Sequence, residues 1–149
     1  MITTQVHIVM PPHVNGTNRL FGGQLMAWID VTAGVAARRH TRRQVTTVAV
    51  DNLRFLAPAF LDETIRLEAR VTWTGRTSLE VRVDSFAESL GGTERRINRA
   101  YLVFVALDDE GKPVRDFPPF VPATEEEKQE WKNAEKRQAQ RLAARETTG

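Results

Sequence analysis

At 149 residues the chain holds one domain with a sizeable core and leaves little room for a second. Charge is nearly balanced, 21 Lys and Arg against 19 Asp and Glu, so the chain as a whole is not built to bind nucleic acid, and its pI of 9.4 reflects only that small surplus. The lack of cysteine excludes thiol nucleophiles, disulfides and thiolate-bound metal.

Residues 2–9 alternate weakly and are expected to form a first strand. The opening Met-Ile-Thr-Thr-Gln-Val-His has neither the basic start nor the apolar run of a signal peptide. Pro11, Pro12, Asn15, Gly16 and Asn18 then crowd into a loop. From Gly22 to about Arg39 there is no proline, and alanine, leucine and methionine favour a helix. Apolar side chains lie all round it, which predicts burial on every side. Gly23, Ala27, Asp30 and Gly34 share one stripe, a carboxylate among small residues that something can approach closely. Arg38, Arg39 and His40 suit the negative end of the helix dipole.

Strands follow. Val48 and Val50 share one face while Leu53 and Phe55 have the opposite parity, a phase shift that predicts a bulge or bend at Asp51–Asn52. Ile65, Leu67, Ala69, Val71 and Trp73 alternate with polar residues, as do Leu79, Val81 and Val83 with Glu80, Arg82 and Asp84; each reads as a strand with one buried and one wet face. The apolar run Tyr101 to Leu107 is expected to lie centrally in the sheet and is too short to span a bilayer. Turns are marked around Gly75, at Gly91–Gly92 and around Gly111. A sheet wrapped around one helix, an α+β domain over residues 1–121, accounts for this order economically. Pro118, Pro119 and Pro122 end it, and Thr124 with Glu127 forms a capping-box pattern that starts a charged helical tail over 122–149. Its apolar stripe, Trp131, Ala134 and Leu142, is thin, so a solvated helix laid on the core or on a neighbouring subunit is expected.

The chemistry-bearing segment runs from Asn15 to Asp30. A glycine pair at a helix start exposes backbone N–H groups without intrahelical partners, able to hold a developing oxyanion. Asp30, two turns further on the same stripe, can serve as a general base. Burying a carboxylate costs several kcal/mol unless it is paired, which favours a functional reading over a merely structural acid. His7, His13 and His40 are scattered, and neither a metal-ligand spacing nor a Gly-x-Ser-x-Gly elbow occurs.

The pattern Asn-x(5)-Phe-Gly-Gly-Gln-Leu-Met-x-Trp-Ile-Asp resembles the signature of the hotdog-fold acyl-CoA hydrolases. The likeness continues through Thr47-Val-Ala-Val-Asp51, Phe55-Leu-Ala-Pro58, Glu68–Trp73, Gly75-Arg-Thr-Ser78 and Ala100–Leu107, covering almost the whole chain in order. The resemblance implies a hotdog fold and hydrolysis of acyl-CoA to a free acid and CoA. It implies Asp30 as acid/base or nucleophile, Asn15 as a positioning group and the Gly23 backbone as carbonyl polariser. Asn15 also reads as a simple turn residue. Many relatives have glycine where Asn18 stands; asparagine tolerates the left-handed backbone such a turn needs.

Arg76, Thr77 and Ser78 correspond to the stretch that touches the CoA pantetheine and phosphates in relatives, although an ordinary turn would look much the same. The run Arg38–Arg43 reads first as a solvated helix end, with attraction of the CoA 3′-phosphate as the other reading. The resemblance further implies no cofactor or metal, and a homo-oligomer built from dimers, usually three, with the site across the dimer interface. A cytoplasmic location without membrane or nucleic-acid partners completes the expectation. A hotdog dehydratase would need a histidine in the matching segment, and an acyl-CoA sensor would need an output module.

Overall fold

A computed structural model describes residues 1–51 and 53–148, with side chains described through Arg145. Five strands, β1 (Thr3–Ile8), β2 (Gln44–Asp51), β3 (Thr64–Thr74), β4 (Ser78–Glu88) and β5 (Glu94–Leu107), form one antiparallel sheet in the order β1-β3-β4-β5-β2. Helix α1 (Gly22–Thr41) packs against all five strands, so the sheet curls around it. Helix α2 (Glu125–Thr148) follows the last strand. This is the hotdog arrangement that the resemblance implies.

The core is the inner face of that curl. Leu25, Ile29, Ala33 and Ala37 of α1 meet Ile65, Leu67, Leu79, Val81, Leu102 and Phe104, all essentially fully buried. Burial of each large aliphatic side chain contributes about 1.5–3 kcal/mol. The helix ends where Arg42 turns left-handed, φ 57°, with its N–H donating to the Arg38 carbonyl. Contrary to the expectation of burial on every side, α1 is covered on one face only. Gly23, Ala27 and Val31 remain at least partly open, because a single sheet can close over only one side of a helix.

Two strands depart from plain alternation. In β3 the register shifts between Val71 and Trp73, so Trp73 pairs with Glu80 and points away from α1 instead of joining Val71 in the core. In β2 the shift falls between Thr47 and Ala49, earlier than the expected Asp51–Asn52; Asn52 itself lies outside the described residues.

The larger correction concerns β4. Its expected wet face is buried: Glu80 is 0% exposed, Arg82 6% and Asp84 3%. The cover is α2, which lies on this chain's own sheet and docks chiefly through charge. The Arg137 guanidinium donates to both Glu80 oxygens at 2.9 and 2.7 Å and stacks 3.7 Å over the Tyr101 ring. Thr72 donates to Glu80 at 2.6 Å. Arg82 bridges Asp84 and Glu130 at 3.1 and 2.6 Å, Arg99 reaches Asp84 at 2.6 Å, and Arg141 reaches Asp51 at 2.5 Å. The apolar stripe of α2 is as thin as expected, with Ala134 buried and Leu142 exposed. Its start is the expected capping box: Thr124 Oγ1 accepts from the Glu127 N–H at 3.0 Å, and the Glu127 carboxylate accepts from the Thr124 N–H at 3.1 Å.

Removing one partner of a buried pair leaves the other charge uncompensated. Arg137→Leu is therefore expected to lower the unfolding free energy by about 3 kcal/mol, while the double replacement Glu80→Leu/Arg137→Leu recovers most of that loss. Urea unfolding of the single and double variants measures both; additive losses would show that the two residues do not act as a pair.

Candidate functional site

The start of α1 is presented by the loop before it. The Asn15 side-chain carbonyl accepts from the Thr17 N–H at 3.0 Å, the Thr17 hydroxyl at 2.7 Å and the Arg19 N–H at 3.2 Å, closing a tight turn. Asn18 adopts φ 59°, the left-handed conformation that asparagine tolerates. The loop is then fastened to the segment before β3, where the Leu20 N–H donates to the Ala59 carbonyl and the Leu61 N–H to the Asn18 carbonyl. Phe21 caps the helix in an extended conformation without a side-chain hydrogen bond to the first turn. The leading amides of Gly22 and Gly23 are thus open donors at the positive end of the dipole. A Cβ at Gly23 would sit 3.3 Å from the Phe21 ring, so a larger residue would crowd this entrance. Asn15 and Gly22 share a groove of about 450 Å3, walled on its apolar side by Phe21, Phe55 and Leu56. The Asn15 carbonyl is committed to the turn, which leaves its amide group to act outward.

Asp30 does not line that groove. It is half-buried on the open stripe of α1, and the Thr47 hydroxyl donates to its Oδ1 at 2.6 Å. Its Oδ2 has no partner among the described residues. Thr47 reaches it because of the bulge in β2. Thr47 pairs with Phe104 and Val50 with Leu102, so both face α1 although they are three residues apart. A regular strand would turn one of them outward. In the sequence Thr47 stands out only as part of a motif. The parity break in β2 is the signal for its orientation, and the bulge lies about four residues before the point where apolar alternation places it.

Arg76, Thr77 and Ser78 lie elsewhere. They form the β3–β4 hairpin, closed by the Gly75 N–H to the Ser78 carbonyl and joined to β5 by the Ala106 N–H to the Thr77 carbonyl, both at 2.8 Å. The hairpin belongs to the C-terminal end of α1: the Phe120 N–H donates to Thr74 Oγ1 at 2.9 Å, and the His40 ring meets the Pro118 carbonyl at 2.7 Å. Within one protomer, therefore, these three residues are not brought to Gly23. The α1 helix that separates them is 20 residues long, about 30 Å.

On the other flank of α1, toward β1, Trp28 is held by two histidines. The His7 ring stacks on it at 4.3 Å and 4°, and His13 meets it edge-on at 4.9 Å. Burial, helped by His13, holds the His7 imidazole below its usual 6.5. Among the described residues no group of three or more His, Asp or Glu is placed to hold a metal ion.

Residues 17–93 match the thioesterase superfamily. YkhA of Bacillus subtilis, an uncharacterized acyl-CoA thioester hydrolase, is 45% identical over 80% of this chain and 69% of its own length. A crystallised hexameric acyl-CoA thioesterase is 35% identical, with a TM-score of 0.87 over 96% of this chain and 92% of that one. An acyl-CoA hydrolase from Staphylococcus aureus, solved with butyryl-CoA, CoA and CoA disulfide, is 33% identical, with a TM-score of 0.83 over 99% of this chain and 92% of that one. Alanine mutants of that enzyme replace an asparagine, an aspartate and a threonine spaced 15 and 17 residues apart, the spacings of Asn15, Asp30 and Thr47 here.

The stack makes a pH prediction. A histidine whose folded value is depressed contributes stability above its unfolded value of 6.5, and that stability is lost as pH falls below it. Thermal unfolding is expected to move to lower temperature on acidification between about pH 7.5 and 5.5, and less so in His7→Phe. Glu63 and Glu130, held low by Arg95 and Arg82, respond only below the usual carboxylate value of 4.5, outside this window. An identical shift in His7→Phe would place the titrating group elsewhere.

Proposed function

The chain belongs to the thioesterase superfamily, and from that premise we propose that it hydrolyses acyl-CoA to a free carboxylic acid and CoA, with Asp30 as the reacting carboxylate. The observation that carries the assignment is the Thr47–Asp30 hydrogen bond. It fixes one carboxylate oxygen and leaves the other facing the open stripe of small residues. That open oxygen is suited to take a proton from water as the water attacks the thioester carbon and the C–S bond breaks to release CoA thiolate, or to attack that carbon itself, expelling CoA thiolate and leaving an anhydride that water then opens. The amides at Gly22 and Gly23 are suited to hold the oxygen on which negative charge develops. We assign this chemistry to residues 1–121 and treat 122–149 as an appended helical segment.

Helix geometry argues that two protomers complete the site. Gly23 and Asp30 are seven residues apart, about 10 Å along the axis, too far for one carbonyl to meet both. A second α1 packed antiparallel on the open stripe, crossing at Ala27, sets its Gly23 opposite this Asp30. Ala27 lies midway between the two, and its small side chain permits close approach. The same pairing brings the Arg76–Ser78 hairpin of a second copy toward this helix start, where it would hold the pantetheine and phosphates. The free edge of β2, with Val48 55% exposed, supplies a strand for the same contact. We propose a dimer on this basis, and three such dimers by analogy with the hexameric relative. A cytoplasmic location belongs to the same reading; among the described residues no helix is long and apolar enough to cross a membrane.

Asp30→Asn is expected to lower kcat by ~10²–10⁴ while the protein stays folded and assembled. Single-turnover hydrolysis and thermal unfolding on one preparation check this, and near-normal turnover would remove Asp30 from the mechanism.

Subunit mixing tests the shared site. Asn15→Ala and Asp30→Asn chains, refolded together, should regain about a quarter of wild-type activity, since half of the dimers are mixed and each carries one intact site. If both residues acted within one chain, mixing would restore nothing.

A further inference from the structure

Residues 13–21 form a small hairpin that delivers the chain to α1. The Asn15 turn is its tip, Val14 pairs with Leu20 along it, and His13 and Phe21 meet at its base, where the Phe21 N–H donates to the His13 carbonyl at 3.2 Å. Phe21 caps the helix without a side-chain hydrogen bond to the first turn, so among the described residues this backbone bond is what fixes it. The next two amides, Gly22 and Gly23, are those suited to hold a developing oxyanion, and glycine adds no side-chain restraint of its own. Their direction therefore depends on how the base of the hairpin is held.

His13 holds that base in three ways. Its carbonyl takes the Phe21 N–H, and its Nδ1 accepts from the Met10 N–H at 3.0 Å, closing the 3-10 turn Pro11–His13. Its ring edge rests on Trp28 at 4.9 Å and 78°. Trp28 is itself anchored, 8% exposed and stacked at 4.3 Å on His7 of β1. An apolar ring at position 13 would pack on Trp28 equally well, but only a side chain with a lone pair can take the Met10 amide. The acceptor, and not the packing, is what an imidazole adds here.

We propose that His13 is a positioning residue for thioester hydrolysis. By accepting the Met10 N–H while seated against Trp28, it sets its own carbonyl and, through Phe21, the direction of the Gly22 and Gly23 amides. It acts through the backbone and not on the substrate. The role rests on the acyl-CoA reading above. Small misplacements matter at such a site, because donors aimed at a developing charge act only where that charge appears.

Two replacements in the full-length chain separate the acceptor from the ring. His13→Phe keeps a ring against Trp28 and loses the acceptor. His13→Gln loses the ring but keeps a side-chain carbonyl at the third position of the turn, where glutamine takes a capping N–H. In His13→Phe, kcat and the single-turnover rate constant are expected to fall about tenfold with KM little changed. His13→Gln should regain most of that loss. Hydrogen–deuterium exchange over residues 21–25, where the Phe21, Gln24 and Leu25 amides are the bonded ones, should quicken in His13→Phe and return toward wild type in His13→Gln. A merely structural role would lower thermal stability and leave the single-turnover rate constant of the folded enzyme unchanged, which overturns the positioning role. So does a His13→Gln enzyme no faster than His13→Phe. Should the wild type hydrolyse no acyl-CoA, the catalytic reading fails and takes this role with it. Unchanged exchange in His13→Phe overturns the link from His13 to the helix start, whatever the substrate. If His13→Phe does not fold, His13→Leu carries the same comparison.

Discussion

A helix has a whole circumference to cover, and one curled sheet covers about half of it. In this protein that limit organises everything else. Leu25, Ile29, Ala33 and Ala37 face the sheet and make the core, while Gly23, Ala27, Asp30 and Val31 face away from it. Along the stripe Gly23, Ala27 and Gly34 the side chains are small, so a second surface can come close there. Fold stability and proposed chemistry thus occupy opposite sides of one helix, and substitutions on one side need not disturb the other.

The outer side of the sheet solves a different problem. Glu80, Arg82 and Asp84 are charged residues removed from water by α2, at a desolvation cost that apolar residues would not incur. Each is answered by at least two partners, and Glu80 alone takes hydrogen bonds from Arg137 and Thr72. Burial pushes the Arg137 guanidinium down, but Glu80 and Tyr101 more than offset it, so the cation is held above its usual value. An interface of this kind has little hydrophobic drive of its own and depends on register. Shifting α2 by one turn would leave several buried charges unmatched.

The architecture is legible in the sequence to the extent that it rests on local periodicity. The β3 and β4 alternation, the Gly22 start of α1 and the Thr124–Glu127 cap all follow from spacing and residue type, and the left-handed Asn18 from the resemblance. What cannot be read locally is what each face meets. A strand of alternating Glu, Arg and Asp looks the same whether water or a charged helix lies above it, so nothing in β4 alone announces the burial of Glu80. The all-apolar look of α1 hides an open stripe for the same reason. Within the proposed site, Asp30 stands out by its expense, whereas Thr47 is an ordinary strand threonine until the bulge aims it. The distance from the Arg76 hairpin to Gly23 depends on how β3 crosses the helix, which no motif records.

The bulge in β2 gives residue number a meaning that residue identity lacks. Thr47 and Val50 both face inward only because one additional residue stands between them. Val48 itself is exposed and contributes little packing within the protomer. Its presence, however, is indispensable. Loss of that single codon would restore a regular pleat and rotate either the threonine away from Asp30 or the valine out of the core. Gain of one would do the same in the other direction. This strand therefore resists changes of length, the reverse of what is usual for an exposed edge.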